Sequence, residues 1–257
     1  MGNLVKEKLE SGKQVLGTFF SSGSASMMEC LGYAGLDYAI IDTEHGPFDT
    51  ESSMEFVRAA ELVGMTPFMR ISNVTHKEIQ RAVDMGVQGL IIPCLRTLDE
   101  VKGVVELGKY PPIGNRGFIK GRGSGFGFKD WSCGSVAEYC ANSNERVLLL
   151  PQCETAEMLD SIEEAVAVNG IDGIFIGPFD LSISLGMPGD FTNPVFTAAL
   201  ERIHNACKAA GKYCFIFSTT NEQARNYFAQ GYDGVAHSID FTMFTEAYSA
   251  AVSAIKG

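Results

Sequence analysis

Apolar residues recur along the chain in two alternating rhythms. Short β-branched and aromatic runs occur at Val15 to Phe20, Tyr38 to Asp42, Pro67 to Ile71, Gly89 to Leu95, Val147 to Cys153, Gly173 to Ile176, Tyr213 to Phe217 and Gly234 to His237. Each has the length and composition of a strand. Between them apolar positions fall at helical spacing, as at Met54, Val57 and Leu62 or at Ile79 and Val83. Several of these segments close on a glycine just before the next run, in LVGMTPF, DMGVQGL, AAGKYCF and AQGYDGV, where a helix C-terminus favours glycine. Regular alternation with short connections predicts parallel strands joined by crossover helices. Eight repeats predict closure into an α/β fold of the (β/α)8 TIM barrel type. The rival, an open doubly wound sheet, lacks its G-x-G-x-x-G signature after the first strand.

The 257 residues match the roughly 250 of one such barrel, and no linker-like stretch divides them, so residues 1–257 are expected to form a single domain. Two segments break the regularity. The connection from Tyr110 to Asn144, with GRGSGFGF at Gly121 to Phe128, is too long for an ordinary loop and implies a lid, a binding loop or an oligomer contact. Met187 to Asn193 reads as a loop before a helix starting near Pro194. The apolar last segment, Phe241 to Ile255, offers a further surface for assembly.

Composition narrows the function. A net charge of −11 without clustered Lys and Arg excludes nucleic-acid binding, which needs cations to neutralise phosphates. No apolar run approaches the roughly 20 residues of a membrane span. The start MGNLVKEKLESGK has no apolar signal-peptide core. The seven cysteines are scattered and form no C-x-x-C pair, so structural zinc and a disulfide framework are disfavoured. Reduced thiols imply a cytoplasmic protein.

In a TIM barrel the reacting groups gather at the C-terminal strand ends. The most informative stretch is Arg146 to Gly186, a strand-helix-strand unit whose strands end in Gln152 and Glu154 and, just past the second, Asp180. Gln152 and Glu154 share the parity of Leu148 and Leu150 and so face one side. Two carboxylates on neighbouring strand ends suit a hard divalent cation that keeps positions open for substrate. Asp180 also suits a helix N-cap, and Gly177 to Asp180 would present backbone N–H groups to a substrate carboxylate.

His45, in IDTEHGP, is placed for general-base work, a solvated loop histidine being the plain alternative. Arg70 ends PFMRIS, where it can pair with Asp42 or Glu44 and also stabilise negative charge. No lysine lies at a strand's C-terminal end, which excludes Schiff-base chemistry. GRGSGFGF lacks the GK[ST] ending of a phosphate loop, and FSTTNE and AHSIDFT lack the glycines of a barrel phosphate site, so nucleotides and phosphorylated substrates are disfavoured. His76, His204 and His237 read as structural.

Together IDTEHGP, the Arg of PFMRIS, YPPIGNRG at Tyr110 to Gly117, PQCET and GIDGIFIGPFDLS resemble the metal-dependent HpcH/HpaI aldolases. The resemblance runs from about Leu16 to the end. It implies a (β/α)8 barrel, usually hexameric with a swapped last helix, that cleaves or forms a carbon-carbon bond next to a pyruvate unit with Mg²⁺, Mn²⁺ or Co²⁺. Position by position it implies Glu154 and Asp180 as metal ligands, and Gln152, Phe179 and Asp180 as contacts to the pyruvyl group. It also implies His45 as base, Arg70 as enolate stabiliser, and Asp84 as the partner that raises the basicity of His45. From the residues alone, Asp84 is only an acid in a helix. Phe179 departs from the Ala common in the family.

The expected reaction is cleavage of the C3–C4 bond of a 4-hydroxy-2-oxo acid to pyruvate and an aldehyde. The alternatives are an acyl-thioester lyase of the citrate lyase β-subunit type, marked by coenzyme A dependence, and a non-catalytic 2-oxo-acid binding protein, marked by binding without turnover.

Overall fold

A computed structural model describes residues 2–257. Eight parallel strands close into a barrel in the order β1 to β8: Val15–Phe20, Tyr38–Asp42, Thr66–Arg70, Gly89–Ile92, Leu148–Cys153, Gly173–Ile176, Tyr213–Ser218 and Gly234–Ile239. The expected TIM barrel is therefore present. The fourth strand stops at Ile92 instead of Leu95 because Pro93 has no N–H to donate and Cys94 turns the chain at φ 60°.

The helices are α1 Leu4–Glu10, α2 Ala25–Tyr33, α3 Thr50–Leu62, α4 His76–Met85, α5 Leu98–Gly108, α6 Val136–Arg146, α7 Ala156–Asp160, α8 Ile162–Val166, α9 Pro178–Ser184, α10 Pro194–Ala210, α11 Asn221–Gln230 and α12 Asp240–Lys256. Their starts follow local chemistry: the side chains of Asp49, Thr75, Thr97, Ser135, Thr155 and Thr220 each accept a hydrogen bond from a first-turn amide. Gly86, Gly211 and Gly231 take the left-handed conformation at the C-termini of α4, α10 and α11, as the sequence predicted.

Two apolar layers hold the barrel. Val15, Tyr38, Ile40, Phe68, Leu148, Leu150 and Phe215 fill the interior, with Val5 and Leu9 of α1 closing its floor. A larger layer, including Ile41, Val57, Leu90, Leu149, Ile174 and Ile203, lies between strands and helices. Inside, small residues face large ones. A Cβ at Gly89 would lie 2.4 Å from the Phe68 ring, and one at Gly234 would lie 2.2 Å from Phe215. The glycines thus make the room that the rings occupy.

The connection from Tyr110 to Asn144 is not all loop. Ser135 and Glu138 form a capping box that starts α6 within it. Its glycine-rich part docks at the N-terminal face of the barrel. Arg122 donates to the Met85 carbonyl at 2.9 Å and pairs with Glu61 at 2.7 Å, and Lys129 reaches Glu61 at 3.3 Å. Those partners end helices that run down from the mouth, so this segment is no lid over its own chain's strand ends.

Lys109 sits on the same lower face. It is buried and bonded to the carbonyls of Asn144 and Val147 and to Asp172.

Candidate active site

At the C-terminal ends of β2 and β3, Asp42 and Arg70 are directly opposed in register. Arg70 donates through Nε and Nη2 to the two Asp42 oxygens at 2.9 and 2.7 Å, and its Nη1 lies 3.0 Å from Glu44. Its guanidinium carbon is 4.8 Å from the centre of the Phe19 ring. Burial works against its charge, but the bonds to Asp42 and the field of Glu44 prevail and raise its pKa. The pairing expected from sequence thus occurs with both acids. Asp42 also accepts from the Glu44 and His45 amides, which turns the chain and carries His45 to the rim. The His45 side chain is exposed, with Nε2 4.0 Å from Glu44.

Across the mouth, β5 delivers Gln152 and Glu154, which are 2% and 4% exposed. Glu154 accepts from the Cys94 amide at 2.5 Å and from the Gln152 side-chain amide. Burial, reinforced by the charges of Asp180 and Glu44 and opposed by the Cys94 bond, pushes its carboxyl up to about 7. After β6, Gly177 brings the chain into α9 without a side-chain cap, and exposed Asp180 lies in the first turn.

Gly177 is needed for close approach: a Cβ there would lie 2.5 Å from Gln152 Nε2 and 2.9 Å from Glu154 Oε2. Gly177→Ala is therefore expected to displace both side chains. It should cost about 1–3 kcal/mol of stability, measurable by thermal unfolding.

The donor set fits a divalent cation. Arg70 lies in the field of Asp42, Glu44 and Glu154, and Glu154 in turn lies in that of Asp180, so among the described residues here negative charge is in excess, and Gln152 Oε1 is buried with no hydrogen-bond partner among them. Among those residues no three His, Cys, Asp or Glu side chains form a metal cluster on their own. Two carboxylates, with water and substrate oxygens completing the shell, are the pattern of a hard ion such as Mg²⁺.

A cavity of about 340 Å³ opens at this mouth, lined by Asp42, His45, Arg70, Gln152, Phe179 and Asp180 among others. Of the site residues anticipated from sequence, Asp84 is the one that the chain does not bring here. It lies at the end of α4, paired with Arg116 at 2.6 Å, so the His45–Asp84 contact implied by resemblance is not formed within the chain. The polar groups after β7 and β8 have closing roles instead. Asp240 accepts the Ser21 and Ser22 amides at 2.9 and 3.1 Å, and Ser218 bonds half-buried His237. His204 stacks on Tyr232.

Sequence reasoning missed the Cys94 amide and a wall of Phe19, Phe175 and Phe217. The signal for the wall was present, since these rings hold inward-facing positions near the last rung of their strands.

A family model described as HpcH/HpaI aldolase/citrate lyase matches residues 15–247. The chain is 33% identical to the 2-dehydro-3,6-dideoxy-6-sulfogluconate aldolase of Pseudomonas putida, over 94% of this chain and 92% of that one. It is 32% identical to the 2-keto-3-deoxy-L-rhamnonate aldolase of Escherichia coli O157:H7, over 99% and 93%. A crystal structure of an HpcH/HpaI aldolase/citrate lyase family protein from Burkholderia cenocepacia J2315 superposes with a TM-score of 0.91 at 31% identity, covering 99% of this chain and all of that one.

Proposed function

The chain belongs to the HpcH/HpaI aldolase/citrate lyase family and is a carbon-carbon lyase, and on that premise we propose that it is a metal-dependent pyruvate aldolase acting on a 4-hydroxy-2-oxo acid. The observation that carries this reading is the mouth itself. Three carboxylates, Asp42, Glu44 and Glu154, act on one guanidinium, a fourth, Asp180, acts on Glu154, and beside them a buried amide oxygen has no partner among the described residues.

Glu154 and Asp180 hold the cation, Mg²⁺, Mn²⁺ or Co²⁺, which when bound supplies Lewis-acid polarisation of the 2-oxo group. The Gln152 amide and the backbone at Phe179 and Asp180 orient the pyruvyl carboxylate at the start of α9. Arg70, locked by Asp42 and Glu44, presents fixed positive charge to the oxygen that becomes the enolate. His45 accepts the proton of the C4 hydroxyl through a water. The C3–C4 bond then breaks, the aldehyde departs, and protonation at C3 gives pyruvate. Asp84 assists His45 only if a neighbouring copy supplies it.

The test is pyruvate release from a panel of 4-hydroxy-2-oxo acids, with and without chelator and coenzyme A. Release that chelator abolishes and coenzyme A leaves unchanged supports the reading. Turnover that requires coenzyme A, or binding of pyruvate with no cleavage of any panel member, overturns it.

The functional unit in this reading is a single barrel domain in a homo-oligomer, a hexamer by family resemblance. α12 supports it: Phe244, Tyr248, Val252 and Ile255 are all exposed along this helix, an apolar stripe that a second copy would cover. The double variant Tyr248→Glu, Val252→Glu is expected to elute as a smaller species in size-exclusion chromatography with light scattering. An unchanged mass would remove α12 from the interface. Seven free thiols fit a reducing, cytoplasmic setting. No helix among the described residues is long and apolar enough to cross a membrane.

A further inference from the structure

The cavity at the mouth is chemically divided. One side is polar, with buried Asp42, Arg70 and Gln152 and exposed Asp180, whereas one wall is built of aromatic rings that run from the core to the rim. Phe175 packs on Phe19 with ring centres 5.9 Å apart, Phe19 on Phe217 at 5.6 Å, and Phe217 on Phe179 at 6.1 Å. Phe179 in turn meets Phe191 edge-to-face at 4.9 Å. Burial falls along this run, from 1% exposed at Phe175 to 43% at Phe179. Ile239 and half-exposed Phe241 extend the apolar lining.

Cations are scarce on the same surface. Among the described residues, Arg70 is the only Arg or Lys lining the cavity, and its guanidinium is committed to Asp42 and Glu44. Beyond these, Ser21 and His45 are the remaining polar side chains among the described residues that line it. Among this chain's described lining residues a distal carboxylate, sulfonate or phosphate would meet no unpaired positive charge, and a polyhydroxylated chain would leave most of its hydroxyls without protein partners.

We propose that the aldehyde partner carries an apolar aliphatic or aromatic substituent, seated on the wall of Phe179 and Phe217. This rests on the aldolase reading above. In the synthetic direction pyruvate loses one proton from C3, C3 forms a bond to the aldehyde carbon, and the carbonyl electron pair moves to oxygen, which takes a proton. The product is a 4-hydroxy-2-oxo acid, with no change in overall oxidation state. Apolar contact discriminates by roughly tenfold or more for each methylene-sized group, so the preference is large enough to read.

The experiment uses the native protein with added Mg²⁺ or Mn²⁺ and pyruvate. It compares kcat/KM for hexanal and phenylacetaldehyde with those for glyceraldehyde and succinic semialdehyde. Exchange of the pyruvate methyl protons in D₂O, without aldehyde, is followed in parallel and tests the aldolase reading alone. The expected result is exchange together with a preference of at least about tenfold for the apolar aldehydes, a ratio that Phe217→Ser lowers several-fold. Because that ratio is internal to each protein, it does not depend on how much of the variant is folded. Exchange accompanied by equal or better use of glyceraldehyde or succinic semialdehyde, or by no uptake of an apolar aldehyde, overturns the proposal. Absence of exchange overturns the aldolase reading itself.

Discussion

Replacing Glu154 by Gln is expected to lower kcat/KM by about three orders of magnitude or more while leaving the barrel folded. The substitution keeps the shape and the capacity to accept the Cys94 amide bond but removes one of two charges proposed to hold the cation. Lewis-acid polarisation contributes several kcal/mol to such reactions, and each 1.4 kcal/mol or so is a factor of ten.

The same variant carries a stability signature that activity loss alone would not. In the native protein without metal, burial and the neighbouring carboxylates Asp180 and Glu44 push Glu154 from its ordinary 4.5 up to about 7. The folded state therefore binds this proton more tightly than the unfolded state. Stability contributed by Glu154 is fully present at low pH and is lost as pH rises from 4.5 through about 7. In chelator, the melting temperature of the native protein should fall across that window, and Glu154→Gln should remove much of the fall. Metal should reverse it in the native protein, because the cation binds the deprotonated carboxylate. Thermal unfolding between pH 4.5 and 7.5, with and without metal, measures all three effects. Chelator-sensitive turnover retained by Glu154→Gln would move the cation elsewhere.

Loss of Arg70 is expected to damage both fold and chemistry. Arg70, Asp42 and Glu44 have side chains that are 9%, 6% and 15% exposed. Arg70→Ala leaves two largely buried carboxylates without their cation, a situation that typically costs about 3–5 kcal/mol. Urea unfolding at pH 7.5 tests this. Equal stability of variant and native protein at pH 7.5 would show that the pairing is energetically idle.

Arg70→Lys keeps a charge but loses the planar fork that grips both Asp42 oxygens. It should fold better than Arg70→Ala and still lose about 10²–10³ in kcat, the usual effect of removing a fixed donor from a developing oxyanion.

Much of this site was legible before any coordinates. Parallel strands with right-handed crossovers place all their C-terminal ends on one face, so Asp42, His45, Arg70, Gln152, Glu154 and Asp180 had to share a mouth once eight repeats were recognised. Side-chain parity along β5 then put Gln152 and Glu154 on the same side. Asp84 shows the limit of carrying a role across by resemblance. Its place in a helix that runs down from the mouth puts it beside Arg116, and a residue's match to a motif does not say which copy of the chain it serves.

The sequence by itself determined the rhythm of strands and helices, the glycine and threonine punctuation between them, and the face on which the acids collect. These depend on local backbone preference and on periods of two and 3.6 residues, which operate within a few residues of chain. Only the tertiary structure decided that Arg70 grips Asp42 and Glu44 together, that the Cys94 amide holds Glu154 from 60 residues away, and that rings of β1, β6 and β7 join into one wall. It also decided that the glycine-rich excursion packs beneath the barrel. Those distances are set by how eight strands tilt and stagger when the sheet closes on itself, a condition on the whole ring that no single stretch of sequence expresses.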